Sequence, residues 1–220
     1  MKFEKTHLYF VPGLAASKEI FRNISFPETH YETHIIEWLI PDKKETLKSY
    51  AKRMAALVSE DNAVLIGVSF GGVVAQEMSK FLKLKHLIII SSVKTRKELP
   101  RRLKFARKTW AYKLVPTSLV LSTKDLTRFA IGPKTEKRLK LYQEYLHVRD
   151  KQYLDWAIEN MVCWKRTKGV KKVKHIHGDA DVVFPIKNIK TKHIIKGGTH
   201  IMILNRGKEV SERIMKLVEK

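Results

Sequence analysis

The sequence predicts an α/β fold: a doubly wound, mostly parallel sheet of about six strands, interrupted late in the chain by a block of helices. Three observations predict it. Short runs rich in Val, Ile and Leu recur at residues 7–11, 33–38, 63–68, 86–90, 173–177 and 193–196. Several are almost continuously apolar, as strands buried on both faces of a parallel sheet are. Helix-spaced stretches separate them at 18–24, 44–59, 72–82 and 207–218. The alternation fails only between residues 92 and 172, where no convincing buried strand occurs.

The first run leads into the loop Val11-Pro12-Gly13-Leu14-Ala15-Ala16-Ser17, and Ser17 suits the N-cap of the helix that follows. The third run ends in Gly67-Val68-Ser69-Phe70-Gly71-Gly72, which opens directly onto the helix expected to reach residue 82. The fifth runs into His177-Gly178-Asp179-Ala180-Asp181-Val182-Val183-Phe184-Pro185, and the sixth into Gly197-Gly198-Thr199-His200. The interruption carries helical segments at 99–114, 118–130, 134–148 and 150–163, with Pro100, Pro116 and Pro133 near three of their starts, where proline is tolerated. A helical block inserted between two strands reads as a lid, residues 93–171, over a core made of 1–92 and 172–220. Trp110, Trp156, Trp164 and Phe105 are expected to form its core, and Cys163 to pack beside them.

Size and composition bound what such a chain does. Its 220 residues suffice for one domain with a sheet covered on both faces, and 44% hydrophobic content is ordinary for a globular protein. No apolar run approaches the roughly 20 residues of a membrane span. The N-terminus lacks a secretory pattern and there is a single cysteine, so a cytoplasmic location is expected. Charge is the unusual property. There are 44 Lys and Arg against 22 Asp and Glu, a net +22. The stretch 94–172 holds 22 of those bases and only 7 acids. Such a field attracts anions, although a lysine-rich surface needs no specific partner. The bases are dispersed and no nucleic-acid-binding signature accompanies them, so no specific nucleic acid is expected.

Chemistry concentrates in the three loops. A serine on a tight strand-to-helix turn is held exposed above the sheet, with small residues two before and two after to admit the turn. The helix N-terminus beneath it offers free N–H groups and partial positive charge. A serine hydroxyl needs a base, and the two later loops lie beyond strand ends on the same sheet edge, bringing carboxylates at 179 and 181 and an imidazole at 200. Either carboxylate could orient that imidazole. His175 and His177 read as structural. No group of His, Cys and carboxylates has metal-ligand spacing, and Gly71-Gly72 lacks the Lys-Ser/Thr of a phosphate loop, so neither metal nor cofactor is expected.

In these residues the chain resembles the α/β-hydrolase superfamily over nearly its whole length. The likeness lies in Gly-Val-Ser-Phe-Gly-Gly around Ser69, in Gly178-x-x-Asp181-x-x-x-Pro185, and in Gly197-Gly198-Thr199-His200. The resemblance implies a serine hydrolase with Ser69 as nucleophile, Asp181 rather than Asp179 as acid, and His200 as base. It implies an oxyanion hole built from the backbone N–H groups of Phe70 and Leu14. Pro12-Gly13 stands where members often carry His-Gly, which leaves glycine and donor in place. Two N-terminal strands of larger members would be missing. The expected substrate is a small molecule with an ester or thioester bond, and the charge of the insertion hints at an anionic one. The same apparatus also suits carbon–carbon bond hydrolysis, and a non-catalytic ligand-binding role is the alternative from another class.

Overall fold

The computed structural model describes residues 4–114, 145 and 147–219. Six strands form one sheet: β1 (Thr6–Val11), β2 (Tyr31–Ile35), β3 (Ala63–Val68), β4 (Leu84–Ile90), β5 (Lys174–Gly178) and β6 (His193–Ile195). They lie in the order β2-β1-β3-β4-β5-β6 and every pairing is parallel. All strand C-termini therefore share one edge of the sheet, and the loops that follow them cluster there.

The apolar pattern explains the layers. Alternate residues of each strand face opposite sides. Tyr9, Leu65 and Leu87 face a core shared with α1 (Leu47–Ala55), α2 (Phe70–Met78) and α4 (Lys151–Cys163). Leu8, Phe10, Ile66, Ile88 and Ile176 face a second core closed by α5 (Met202–Asn205) and α6 (Gly207–Val218). Every residue of β3 is buried, as its unbroken AVLIGV sequence requires of a central strand.

Several expected elements shift for local reasons. The helix expected at 44–59 begins only at Leu47, because Lys44 takes a φ of 61° in the preceding turn and Thr46 caps the helix by accepting from Ser49 N–H at 3.2 Å. The segment 18–24 forms a single 3-10 turn, Lys18–Phe21, with Ser17 Oγ accepting from Glu19 N–H. The second strand runs Tyr31–Ile35 rather than 33–38, since Trp38 leaves the sheet to donate its indole N–H to Gly13 O at 3.0 Å.

Among the described residues no strand lies between β4 and β5. That stretch begins with α3 (Arg101–Thr109) and a 3-10 turn, Ala111–Leu114, and returns as α4. The expected helices at 118–130 and most of 134–148 lie outside the described residues. Trp156 and Trp164 are buried, but in the core shared with the sheet, α1 and α2 rather than in a core of the insertion's own, and Phe105 and Trp110 are more than half exposed. α3 buries none of its residues, being dominated by Arg and Lys with no apolar stripe wide enough to seat it. No described helix is long and apolar enough to cross a membrane.

Candidate active site

The turn at Ser69 is forced by close backbone packing. A Cβ on Gly67 would sit 2.3 Å from Gly71 O, and one on Gly71 would sit 2.2 Å from Pro12 O. Only glycine allows β3, α2 and the loop after β1 to meet so tightly. Ser69 itself has φ 53° and ψ −118°, outside the regions that L-residues favour, at a cost of about 1–3 kcal/mol. Its backbone is tied down on both sides. Ser69 N–H donates to Ile90 O at 2.9 Å, and Ser92 Oγ–H donates to Ser69 O at 2.7 Å.

His200 and Asp181 come to this serine from the loops after β6 and β5. Ser69 Oγ–H points to His200 Nε2 at 3.0 Å, and His200 Nδ1–H donates to Asp181 Oδ2 at 2.9 Å. The His200 side chain is 20% exposed while that of Asp181 is wholly buried. Asp181 Oδ1 accepts two further bonds, from Val183 N–H at 2.8 Å and Phe184 N–H at 2.9 Å. Burial alone would raise the Asp181 carboxyl. The hydrogen bond from His200, its charge and the Phe184 N–H outweigh that and hold it below its ordinary value.

Asp179 has a different place. It is exposed and accepts from Gly197 N–H at 2.5 Å, pinning the glycine loop that carries His200. The two loops are held together further by Ala180 N–H donating to Gly198 O at 3.0 Å, an approach that a Cβ on Gly178 would block at 2.0 Å.

The loop after β1 closes the other side. A Cβ on Gly13 would lie 3.6 Å from Ser69 Cβ, which places this loop against the serine. Phe70 is the first residue of α2, so helix geometry leaves its N–H without an intrahelical acceptor. Leu14 N–H meets no backbone carbonyl among the described residues. Ser17 N–H donates to Tyr145 O and Val148 N–H to Ala15 O, so the chain returning from the insertion braces this loop. Trp38 packs on Phe70 and on Tyr153, with ring centroids 5.7 and 5.3 Å apart.

Sequence reasoning missed two supports, Ser92 and Trp38, and read His177 as structural without its place beneath the acid. Ser92 follows β4 at the same sheet edge, and that position was the signal available. Trp38 holds the Gly13 carbonyl but carries no motif. His177 lies beneath Asp181: its Nε2–H donates to Phe184 O at 2.8 Å, its Nδ1 accepts from His175 Nε2–H at 3.2 Å, and Asp181 Oδ2 is 3.6 Å away. Burial lowers the pKa of both imidazoles, against the opposing pull of the Phe184 carbonyl and Asp181 on His177. Far from this site, His7, Glu32 and His34 come together, a cluster that chain spacing did not show.

By sequence the chain matches no protein-family model and no curated protein. By structure it is similar to a thermophilic esterase from Thermogutta terrifontis (13% identity, 97% of this chain and 89% of that one, TM-score 0.68). It is also similar to an epoxide hydrolase from Bacillus megaterium (12% identity, 100% and 95%, TM-score 0.66). A third likeness is to an alpha/beta hydrolase enzyme from a lagoon-sediment metagenome (17% identity, 99% and 92%, TM-score 0.61). With its six parallel strands, helices on both faces and these likenesses over nearly the full length, the chain has the α/β-hydrolase fold.

Proposed function

We propose that this chain is a serine hydrolase that cleaves an ester-like bond, a carboxylic ester or a thioester, in a small molecule through an acyl-enzyme. The observation that carries this reading is the unbroken line of hydrogen bonds from Ser69 Oγ through His200 to Asp181. Ser69 Oγ attacks the substrate carbonyl while His200 Nε2 takes its proton. Asp181, held ionised chiefly by His200 and also by the Phe184 N–H, keeps Nδ1 protonated and stabilises the imidazolium. The N–H groups of Phe70 and Leu14 receive the developing oxyanion, a contribution of about 3–4 kcal/mol for each well-placed donor. His200 then protonates the leaving group. Water enters, gives its proton to His200, and releases the acid in a second round of the same steps.

A serine in this position favours acyl transfer over epoxide opening, for which a carboxylate nucleophile is the family's choice. Residues 93–171 are proposed as the lid, and their charge favours an anionic acyl or alcohol portion. Arg102 of α3 supports this placement: it donates to Val183 O at 3.0 Å, beside the Asp181 loop. Anionic esters should then react faster than neutral ones of equal size, with an advantage that fades as salt rises.

Labelling with a fluorophosphonate, native protein against Ser69→Ala, tests the central reading. Labelling that disappears in the variant supports an activated serine. A folded native protein that does not label points instead to a ligand-binding use of the fold.

A further inference from the structure

A cluster of metal-ligating side chains lies at the other end of the sheet from Ser69. His7 sits near the start of β1, and parallel pairing sets it directly against Glu32 of β2, with Tyr9 against His34. Residues two apart on a strand share a face, so Glu32 and His34 project on one side with His7 and Tyr9. One ligand atom from each of His7, Glu32 and His34 lies within 4.8 Å of the other two. His7 Nδ1 and His34 Nε2 are 3.0 Å apart, and His34 Nε2 is 3.7 Å from Glu32 Oε1. The Tyr9 ring lies against the His34 ring, centroids 4.4 Å apart and 15° from parallel, and steadies its orientation.

We propose that His7, His34 and Glu32 form a divalent transition-metal site, best suited to Zn²⁺, that clips the edge strand β2 to β1.

The spacing fits. Two imidazole nitrogens each about 2.0–2.1 Å from one ion are about 2.9–3.4 Å apart for bond angles between octahedral and tetrahedral, and the pair here is within that span. Without metal, one neutral ring donates its N–H to the other. To offer both facing lone pairs to an ion, the donor ring carries its proton on its other nitrogen instead, the second tautomer of a neutral imidazole. Two imidazoles and one carboxylate select a borderline ion such as Zn²⁺ over Mg²⁺ or Ca²⁺, which prefer oxygen donors throughout. The His34 and Glu32 side chains are 31% and 49% exposed, so an ion can enter and water can complete its coordination. The location gives the ion something to do. Among the described residues β2 is the outer strand of the sheet and pairs on one side only. An edge strand is where a sheet opens most readily, and a cross-strand ligand set ties it down without lengthening it.

The test uses the full chain with Zn²⁺ alone and with Co²⁺ alone as a visible reporter. The native protein should bind one Zn²⁺ by calorimetry, give Co²⁺ ligand-field bands, and melt at a higher temperature with Zn²⁺ present. Losing a residue that merely orients a ligand costs metal sites about 10–100-fold, so losing a ligand outright, in His7→Ala or His34→Ala, should weaken binding by more than about 100-fold. Glu32→Gln, at an exposed position where folding is not at stake, should weaken it by about 10-fold or more. Circular dichroism establishes that each variant is folded. A native protein that takes up no Zn²⁺ overturns the proposal, and so does uptake that is unchanged in Glu32→Gln and in a folded histidine variant.

Discussion

Asp179 Oδ1 accepts the Gly197 N–H at 2.5 Å, while Asp181, two residues on, accepts the Nδ1–H of His200 at 2.9 Å. Two neighbouring carboxylates thus share the placing of His200. The first fixes the backbone of the histidine loop, and the second addresses its ring. Under the proposed mechanism Asp181→Asn should cut kcat by about 10⁴-fold, because an amide can no longer hold the imidazole in the required tautomer. Asp179→Asn keeps an oxygen acceptor for Gly197 and should cost about tenfold or less. Steady-state kinetics on a chromogenic ester, read beside the rate of fluorophosphonate labelling, separates the two. Equal losses would mean that the ring takes its orientation from elsewhere.

The glycines around the serine should sort by what a methyl would strike. Gly71→Ala drives a Cβ to 2.2 Å from the Pro12 carbonyl, between backbones that cannot move apart without opening β1 from β3. It should destabilise by about 3 kcal/mol or more, seen as a large fall in Tm. Gly13→Ala meets only ordinary contacts, Ser69 Cβ at 3.6 Å and Val68 O at 3.8 Å. Its Tm should stay nearly native. The added methyl nevertheless crowds the space beside Ser69, so labelling should slow without loss of fold.

Much of this was legible in the sequence because the signals were local. β3 needs no correction, since AVLIGV is apolar throughout and ends in the glycine-flanked serine turn. The same holds for α6, whose buried Val210, Ile214 and Leu217 repeat at helical spacing. What was not legible depends on register or on the path of single side chains. His7 and His34 are distant in sequence and meet only because Tyr9 pairs with His34 across parallel strands. Trp38 reads as the end of a strand until its indole is seen to hold Gly13 O. Lys44 at φ 61° delays the start of a helix that the pattern would have begun there. Ala111–Leu114 and α3 are helical as expected yet among them only Tyr112 is buried, because α3 is dominated by Arg and Lys and its few apolar residues form no seating stripe.

Acid should weaken the fold in two stages. His175 and His177 are buried with pKa values below the ordinary imidazole value, so the unfolded chain binds protons more readily than the native one. Their contribution is complete above about pH 6.5 and falls as pH drops below it. Asp181 is also lowered, but its window opens only near the ordinary carboxylate value of about 3.9 and extends downward, again with stability lost as pH falls. Tm measured from about pH 7.5 to 3 should therefore decline first below about pH 6.5 and steepen near about pH 4. His175→Gln should flatten the first decline without touching the second. A profile flat between about pH 7 and 5 in the native protein would contradict the burial of both imidazoles.

Glu77 and Arg166 tie α2 to the chain that leaves α4. The pair is 3.0 Å apart with side chains 8% and 15% exposed, and Glu77 Oε1 also accepts the Trp164 indole N–H at 3.1 Å. Burial works to raise the Glu77 carboxyl, but the bond from Lys80, the Arg166 charge and the indole together keep it below its ordinary value. Removing Glu77 leaves the Arg166 guanidinium buried without its carboxylate, so Glu77→Ala should cost about 3–5 kcal/mol in chemical denaturation, whereas Arg166→Ala leaves Glu77 paired with Lys80 and should cost less. Replacing both with apolar side chains of similar size, Glu77→Leu with Arg166→Met, removes the stranded charge and should recover most of that loss. The double variant discriminates between two accounts of the pair. Recovery means that the pair chiefly satisfies itself. A double variant as unstable as Glu77→Ala would mean that the bonds to Trp164 and to Gln76 O are what hold α2 in place beneath Ser69.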